Sequence, residues 1–366
     1  MIKALYVHIP FCSSICGYCD FTKRIYEENI ATKYLDRLEA DLAEIKQNQF
    51  CTIYIGGGTP TSLSINLLDR LLSMLSRFKV EQKYTIEINP ENFSFDKAIL
   101  LSKYHINRVS IGVQSFNDNL LRHMGRRHNK KDILNTLAML DQVGIYNRSI
   151  DLMYGFNGQR LDDVRFDLQK AVSLNITHIS IYGLEIYENT IFGKLKYRKM
   201  DDETDYLCYQ YIRDFLNANG FKQYEVSNFA KDGYQSKHNK IYWYYDDFIG
   251  VGASASSKIF NQRIDNDKNI VKYVSFASES QITNLNHNDI VFEAIMMNLR
   301  LIDGIRIDEF NNKFGCDLLF RYQEAIKKNV GKGLLNVSDG CLRTTEQGIT
   351  VLNDILVSIL CENVPK

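Results

Sequence analysis

Cys12, Cys16 and Cys19 lie in the run His8-Ile9-Pro10-Phe11-Cys12-Ser13-Ser14-Ile15-Cys16-Gly17-Tyr18-Cys19-Asp20, a CxxxCxxC spacing that gathers three thiols on one short loop. A cubane iron-sulfur cluster is normally held by four thiolates, so a compact trio predicts a 4Fe-4S cluster with one iron open to a small ligand. Open coordination serves chemistry or ligand capture. Zinc is the competing reading, because the spacing also falls within zinc-like patterns and His8 could supply a fourth ligand. Structural zinc loops usually come as paired knuckles, and no second cysteine pair accompanies this one.

A second group of residues suits a small polar ligand. Gly56-Gly57-Gly58-Thr59-Pro60 carries little side-chain volume, so a ligand can approach its backbone amides and carbonyls. Alone, such a run is as readily a tight turn. Glu87, Gln114, Arg126 and Asp151 offer carboxylates to hydroxyl or ammonium donors and a guanidinium to a carboxylate acceptor. Each alone could equally be a surface residue, a helix cap or a turn organiser.

The elements that must position these groups follow from periodicity. Strand-like runs at Ala4 to Ile9, Thr52 to Ile55, Tyr84 to Asn89, Arg108 to Val113, Tyr146 to Leu152 and His178 to Leu184 alternate with amphipathic helical segments. Those segments lie near Ala31 to Asn48, Leu67 to Phe78, Asp96 to Tyr104, Asp132 to Val143 and Leu161 to Leu174. The alternation predicts an α/β fold with a parallel sheet, and six units suit an open, partial TIM-like barrel. Functional groups of such barrels gather where strands end. The cysteine loop follows the first predicted strand, the glycine run the second, Glu87 closes the third, Gln114 follows the fourth and Asp151 ends the fifth, so all should face one mouth.

After about residue 200 the rhythm changes. A helix is expected near Tyr206 to Ala218, then aromatic-rich sequence and Phe248-Ile249-Gly250-Val251-Gly252-Ala253 leading into short strands. Helical patterns dominate from Asp289, and Leu334 to Leu342 holds an Asp339-Gly340 turn before a helix from about Thr345 to Leu360. The predicted division is a barrel over 1–205, an extension over 206–285 and a smaller α-rich, winged-helix-like domain over 286–366.

Composition bounds the rest. The 366 residues, 45% of them hydrophobic, can build a substantial core. Lys+Arg 44 balances Asp+Glu 44, so no global field recruits nucleic acid or an anionic membrane. Only 4 prolines and no fixed-period repeat argue for an ordered, non-solenoid chain. Ala4-Leu5-Tyr6-Val7 is too short for a signal peptide, and no run is long enough to span a bilayer, which makes the cytoplasm the expected location. Cys51, Cys208, Cys316, Cys341 and Cys361 are expected to be buried free thiols.

Tyr6-Val7-His8-Ile9-Pro10-Phe11 followed by CxxxCxxC resembles the cluster loop of the radical S-adenosylmethionine (SAM) proteins, whose core is a (β/α)6 partial barrel. Ile111-Gly112-Val113-Gln114-Ser115-Phe116, Gly125-Arg126-Arg127-His128 and Asp151-Leu152-Met153-Tyr154-Gly155 resemble blocks of the oxygen-independent coproporphyrinogen III oxidase-like branch, which contains HemN and the HemW-type heme chaperones. The resemblance implies SAM contacts at Tyr6, Tyr18, Gly57, Gly58, Thr59, Glu87, Gln114, Arg126 and Asp151. His238-Asn239-Lys240-Ile241-Tyr242-Trp243 matches the HNxxYW segment of the HemW type and implies His238 as a heme contact, although a lone histidine is more often a hydrogen-bonded packing residue. Phe21 stands where HemN carries a fourth cysteine, which points away from an oxidase. Gly252-Ala253-Ser254 lacks the histidine that often follows this glycine-alanine in the HemW type. The C-terminal segments Met297-Asn298-Leu299-Arg300-Leu301 and Leu342-Arg343-Thr344-Thr345-Glu346-Gln347-Gly348 extend the similarity almost to the end. The resemblance implies a chaperone that binds a 4Fe-4S cluster, SAM and heme as cargo, with a heme-accepting protein, respiratory in kind, and an electron donor as partners. The alternative is a coproporphyrinogen III dehydrogenase or another HemN-like radical SAM enzyme.

Overall fold

The computed structural model describes residues 2–362. Six parallel strands neighbour one another in chain order: β1 (Ala4–Ile9), β2 (Gln49–Gly57), β3 (Lys79–Ile88), β4 (Arg108–Gln114), β5 (Arg148–Tyr154) and β6 (His178–Gly183). Every residue of β4 is buried, as expected of a strand covered on both faces. The crossovers carry α1 (Glu28–Ala43), α2 (Ile65–Leu75), α3 (Phe95–Lys103), α4 (Asp118–Met124), α5 (Lys130–Gln142) and α6 (Leu161–Val172). In α2, Leu67, Leu68, Leu71, Leu72 and Leu75 recur at helical spacing and are buried against the sheet, while the Ser64 hydroxyl caps the first turn.

The segment that follows adds strands to both flanks. Past α7 (Asp202–Ala218), β7 (Asn228–Ala230) pairs antiparallel with β6. Past α8 (Lys237–Trp243), β8 (Phe248–Val251) pairs with β1 in parallel, and β9 (Ser256–Ile259), β10 (Gln262–Asn266) and β11 (Ser280–Asn284) continue antiparallel. Because β1 pairs with β8 and β6 with β7, the six-stranded barrel stays open. The seventh parallel strand was not anticipated: Phe248–Val251 is only 4 residues long and offers too short a period to read. Tyr34 of α1 ties this flank down, donating to His8 O at 2.8 Å and accepting from Ala253 N at 2.9 Å.

The C-terminal part is α-rich. Helices α9 (His287–Asn298), α10 (Ile307–Phe314), α11 (Gln323–Gly331) and α12 (Leu352–Glu362) surround a small antiparallel sheet, with β12 (Ile305–Arg306) beside the hairpin β13 (Leu335–Ser338) and β14 (Cys341–Thr344). Asp339 and Gly340 at the hairpin tip both take positive φ, 52° and 69°, as a tight two-residue turn requires. The winged-helix-like shape matches the expectation. One hydrophobic core runs from the barrel into the added strands; a second lies under the C-terminal helices and includes Tyr245.

All eight cysteines are free. Cys208, Cys316 and Cys341 are buried as expected, whereas Cys51 is half-buried and Cys361 exposed. Scattered cysteine positions carry no periodic signal that would reveal their exposure. No helix among the described residues is long and apolar enough to cross a membrane.

Candidate functional site

The cysteine loop is closed at its base by strand-like pairing. Phe11 and Cys12 lie beside Arg24 and Ile25, with Arg24 N donating to Pro10 O at 2.8 Å and Tyr26 N to Cys12 O at 2.9 Å. Its far side is pinned to the mouth, where Gly17 N donates to Met124 O and Gly17 O accepts from Phe192 N. Any side chain at position 17 would collide with the Phe192 ring, 2.4 Å from the added Cβ, so glycine is required there. Tyr18 is packed against the small cluster of Met124, Phe156, Leu184 and Phe192.

The glycine run is stitched onto this loop. Gly58 N donates to Ile9 O at 2.9 Å and Thr59 N to Phe11 O at 2.7 Å. A Cβ on Gly58 would stand 2.7 Å from Phe11 O and 2.9 Å from Cys12 Sγ; Gly57 has φ +113° and faces the His8 ring. The two motifs therefore form one backbone-lined cradle.

Polar side chains converge beside it. Glu87 accepts from Tyr54 Oη at 2.8 Å and from Gly57 N at 3.1 Å. Burial pushes its carboxyl up to about 7, with the charge of Asp151 adding to the rise and the two hydrogen bonds opposing it. Arg126 spans the mouth: Nη2 donates to Asn89 Oδ1 at 2.7 Å and to Gly112 O at 2.5 Å, while Nη1 reaches Cys16 Sγ at 3.6 Å. Asn89 Nδ2 in turn donates to Thr59 Oγ1 at 2.7 Å. Asp151 accepts from Ser110 Oγ at 3.2 Å, and burial raises its carboxyl.

Gln114 leaves β4 with φ 64°, a left-handed conformation uncommon for a residue with a side chain and frequent at functional sites. The turn is held by Asp167 of α6, whose Oδ2 accepts from Ser115 Oγ and Oδ1 from Phe116 N, both at 2.7 Å. Tyr6 lies deeper in the barrel and hydrogen-bonds His8 Nδ1 at 2.9 Å. Thus the three cysteines, Tyr18, Gly57, Gly58, Thr59, Glu87, Gln114, Arg126 and Asp151 meet at or just below one mouth, with Tyr6 beneath them.

Two histidines have both ring nitrogens engaged. His8 cannot complete a zinc site, since its Nδ1 is taken by Tyr6 and its Nε2 by Thr22 O at 3.1 Å. His238, the candidate heme contact, lies away from the cysteines: Nδ1 meets Thr52 Oγ1 and Nε2 meets Tyr242 Oη, both at 2.7 Å, and only 2% of the residue is exposed. Burial, with the positive charge of Arg108, lowers its imidazole to about 3, so the ring is neutral. Its ring lies tilted beside that of Tyr54, at 5.1 Å between centroids, and plugs the end of the barrel opposite the cysteines.

Sequence reading missed three residues of the mouth. Asn89 lies two positions beyond Glu87, and Glu91 accepts from His128 Nδ1 at 2.9 Å while its carboxylate stands 3.9 Å from Arg126 Nη2. The signal for Asn89 was its position just past a strand end. Nothing in the spacing connects Glu91 to His128, 37 residues away.

The donor set fits a 4Fe-4S cluster. The half-buried Cys12 thiol is pushed up to about 12, first by its partial burial and then by Cys19, so it is protonated until a metal replaces the proton. Among the described residues no three His, Cys, Asp or Glu side chains converge as a single ion requires. A cubane attaches its thiolates to separate irons and needs no such convergence. The buried Nε of Arg126, without a hydrogen-bond partner, offers polarity to a polar ligand beside it.

Comparison with known proteins agrees with this geometry. Residues 6–171 match the family model of the Radical SAM superfamily, and residues 285–351 that of the HemN C-terminal domain. The chain is 33% identical to the heme chaperone HemW of Bacillus subtilis (strain 168), covering 99% of this chain and 100% of that one. It is also 33% identical to the heme chaperone HemW of Lactococcus lactis subsp. lactis (strain IL1403), over 99% and 98%. The solved coproporphyrinogen III oxidase HemN of Escherichia coli superposes with a TM-score of 0.85 at 22% identity, over 98% of this chain and 90% of that one, a likeness of fold.

Proposed function

We propose, for a chain that belongs to the HemW family of heme chaperones in the radical SAM superfamily, that it binds heme as cargo and delivers it to a heme-accepting protein. The observation that carries this reading is similarity to named heme chaperones along essentially the whole chain, C-terminal part included. Phe21, at the place of HemN's fourth cysteine, is 64% exposed and offers no ligand to a metal. Coproporphyrinogen III oxidation therefore has no support in the loop that would distinguish it.

In this reading Cys12, Cys16 and Cys19 hold a 4Fe-4S cluster, and SAM is held by Tyr6, Tyr18, Gly57, Gly58, Thr59, Glu87, Gln114, Arg126 and Asp151. When bound, the cluster supplies a single electron to the SAM sulfonium, chemistry that belongs to the cofactor. The chain's own contribution is positional. Arg126 links Cys16 to Gly112 O and Asn89, so the cysteine loop and the ligand pocket share one rigid group. Glu87 and Asp151 offer carboxylates to ammonium and hydroxyl groups, and Gln114 is aimed by a strained turn that Asp167 clamps. The barrel is assigned to 1–205, the added strands to 206–285 and the C-terminal domain to 286–366. The recipient is a protein of respiratory type, the electron comes from a donor protein, and the location is the cytoplasm.

The reading is tested on protein reconstituted anaerobically with iron and sulfide, titrated with heme and assayed for conversion of coproporphyrinogen III. Stoichiometric heme binding, labile sulfide and no conversion are expected. Steady conversion without heme binding would replace the chaperone with an enzyme, and zinc without labile sulfide would remove the cluster.

A further inference from the structure

At the end of the barrel opposite the cysteines lies a cavity of about 640 Å³, within the range of small-molecule sites. It opens between the first residues of β1 to β3 and the outer face of α8. Lys237, Lys240, Ile241 and Tyr244, all on its wall, recur at i, i+3, i+4 and i+7 and form one stripe running off the end of α8. His238, on the same helix, points the other way and anchors it to Thr52 and Tyr54. The segment that looks like a histidine ligand site is thus an anchor on one face and a cavity wall on the other.

The chemistry of the wall is specific. Lys3, Lys237 and Lys240 share the wall with Asp246, which Lys3 and Lys313 already neutralise at 2.7 and 2.8 Å, and the Glu81 carboxylate stands beside Cys51. Lys240 donates to Gln235, and the exposed Lys237 has no partner among the described residues. Nearby, burial and then the charges of Lys237 and Arg108 lower the Lys83 ammonium, a sign of surplus positive charge on this face. Tyr244, 41% exposed, and Ile241 add flat and apolar surface. The ladder between β2 and β3 slips between Phe50 and Thr52, where β3 carries the extra residue and Cys51 alone opposes Glu81 and Gln82; its half-buried thiol lines the cavity with Sγ 3.4 Å from Glu81 Oε2. Bulges of this kind re-aim side chains at functional sites.

We propose that this cavity seats the heme cargo, with propionates on Lys237, Lys240 and Lys3, the ring against Tyr244 and Ile241, and the iron bound by Cys51 Sγ. The proposal rests on the chaperone reading above. On ligation a sulfur–iron bond forms and the thiol proton passes to the Glu81 carboxylate; no electron is transferred. Cargo is thereby held a full barrel length away from the cluster mouth.

The test uses full-length, anaerobically reconstituted protein, with SAM binding at the opposite mouth as the folding control. Ferric heme is titrated into wild type, Cys51→Ser and the double variant Lys237→Glu/Lys240→Glu. Cys51→Ser is expected to retain heme but lose the thiolate signature from its absorption spectrum. The lysine variant is expected to bind heme about tenfold more weakly, with no change for heme dimethyl ester, which lacks the carboxylates. Wild-type affinity and spectrum in both variants would overturn the cavity and leave the chaperone reading standing. Failure of wild type to bind heme at all would instead overturn that reading, and the cavity with it.

Discussion

At the scale of single residues, burial decides what each titratable group can do. Glu87 and His238 both sit inside the barrel, and burial holds both towards neutrality, Glu87 up to about 7 and His238 down to about 3. For Glu87 the sign is that of a raised carboxyl: the protonated form favours the fold at low pH, and that contribution is lost as pH rises through 7. The same ionisation creates the charge that a cationic ligand needs. SAM affinity is therefore expected to rise as pH climbs through about 7 in wild type and to be flat and weaker in Glu87→Gln, measured by calorimetry on reconstituted protein. A wild-type affinity independent of pH between 6 and 8, on the order of one unit either side of that value, would remove Glu87 from the site. The candidates at strand ends were legible because strand ends in a βα repeat are where function collects. The partners of His238 were not legible, because residue type reports what a side chain can ligate, not that Thr52 and Tyr242 meet its nitrogens.

At the scale of elements, the mouth works because two loops share a backbone interface. The cysteine loop and the glycine run meet through Gly58 N to Ile9 O and Thr59 N to Phe11 O, and this contact leaves no room for a side chain at 58. Gly58→Ala places a Cβ against a backbone oxygen and Cys12 Sγ, neither of which can swing aside cheaply, so the cysteine loop must shift. We expect a folded protein that loses most of its iron and sulfide after reconstitution, while Gly144→Ala, in open space but with φ +75°, loses only some stability, about 1 kcal/mol. Full cluster content in Gly58→Ala would contradict the shared cradle. The repeating strands and helices were readable from period 2 and 3.6 patterns, as the leucine stripe of α2 illustrates. The pairing of β8 with β1 and the slip at Cys51 were not, because register between distant segments leaves no local trace.

At the scale of the whole molecule, one open sheet joins two ends with different chemistry. The cysteine mouth is lined by buried carboxylates, Arg126 and glycine backbone; the opposite end is closed by His238 and borders a lysine-rich cavity. Near-zero net charge, 44 basic against 44 acidic residues, hides this separation, since composition sums what the fold keeps apart. The fold class and the C-terminal domain were legible from the order of elements; the polarity between the two ends needed coordinates. A carrier must release what it binds, and that property separates this account from both an enzyme and a heme sink. The most direct measurement loads the reconstituted protein with heme, mixes it with a heme-free acceptor protein, and follows the absorption spectrum as the two are separated. The account predicts that heme moves to the acceptor and that the donor returns to its heme-free spectrum with its cluster intact. Heme that stays on the donor under every condition, or porphyrin chemically altered on the way, would contradict it.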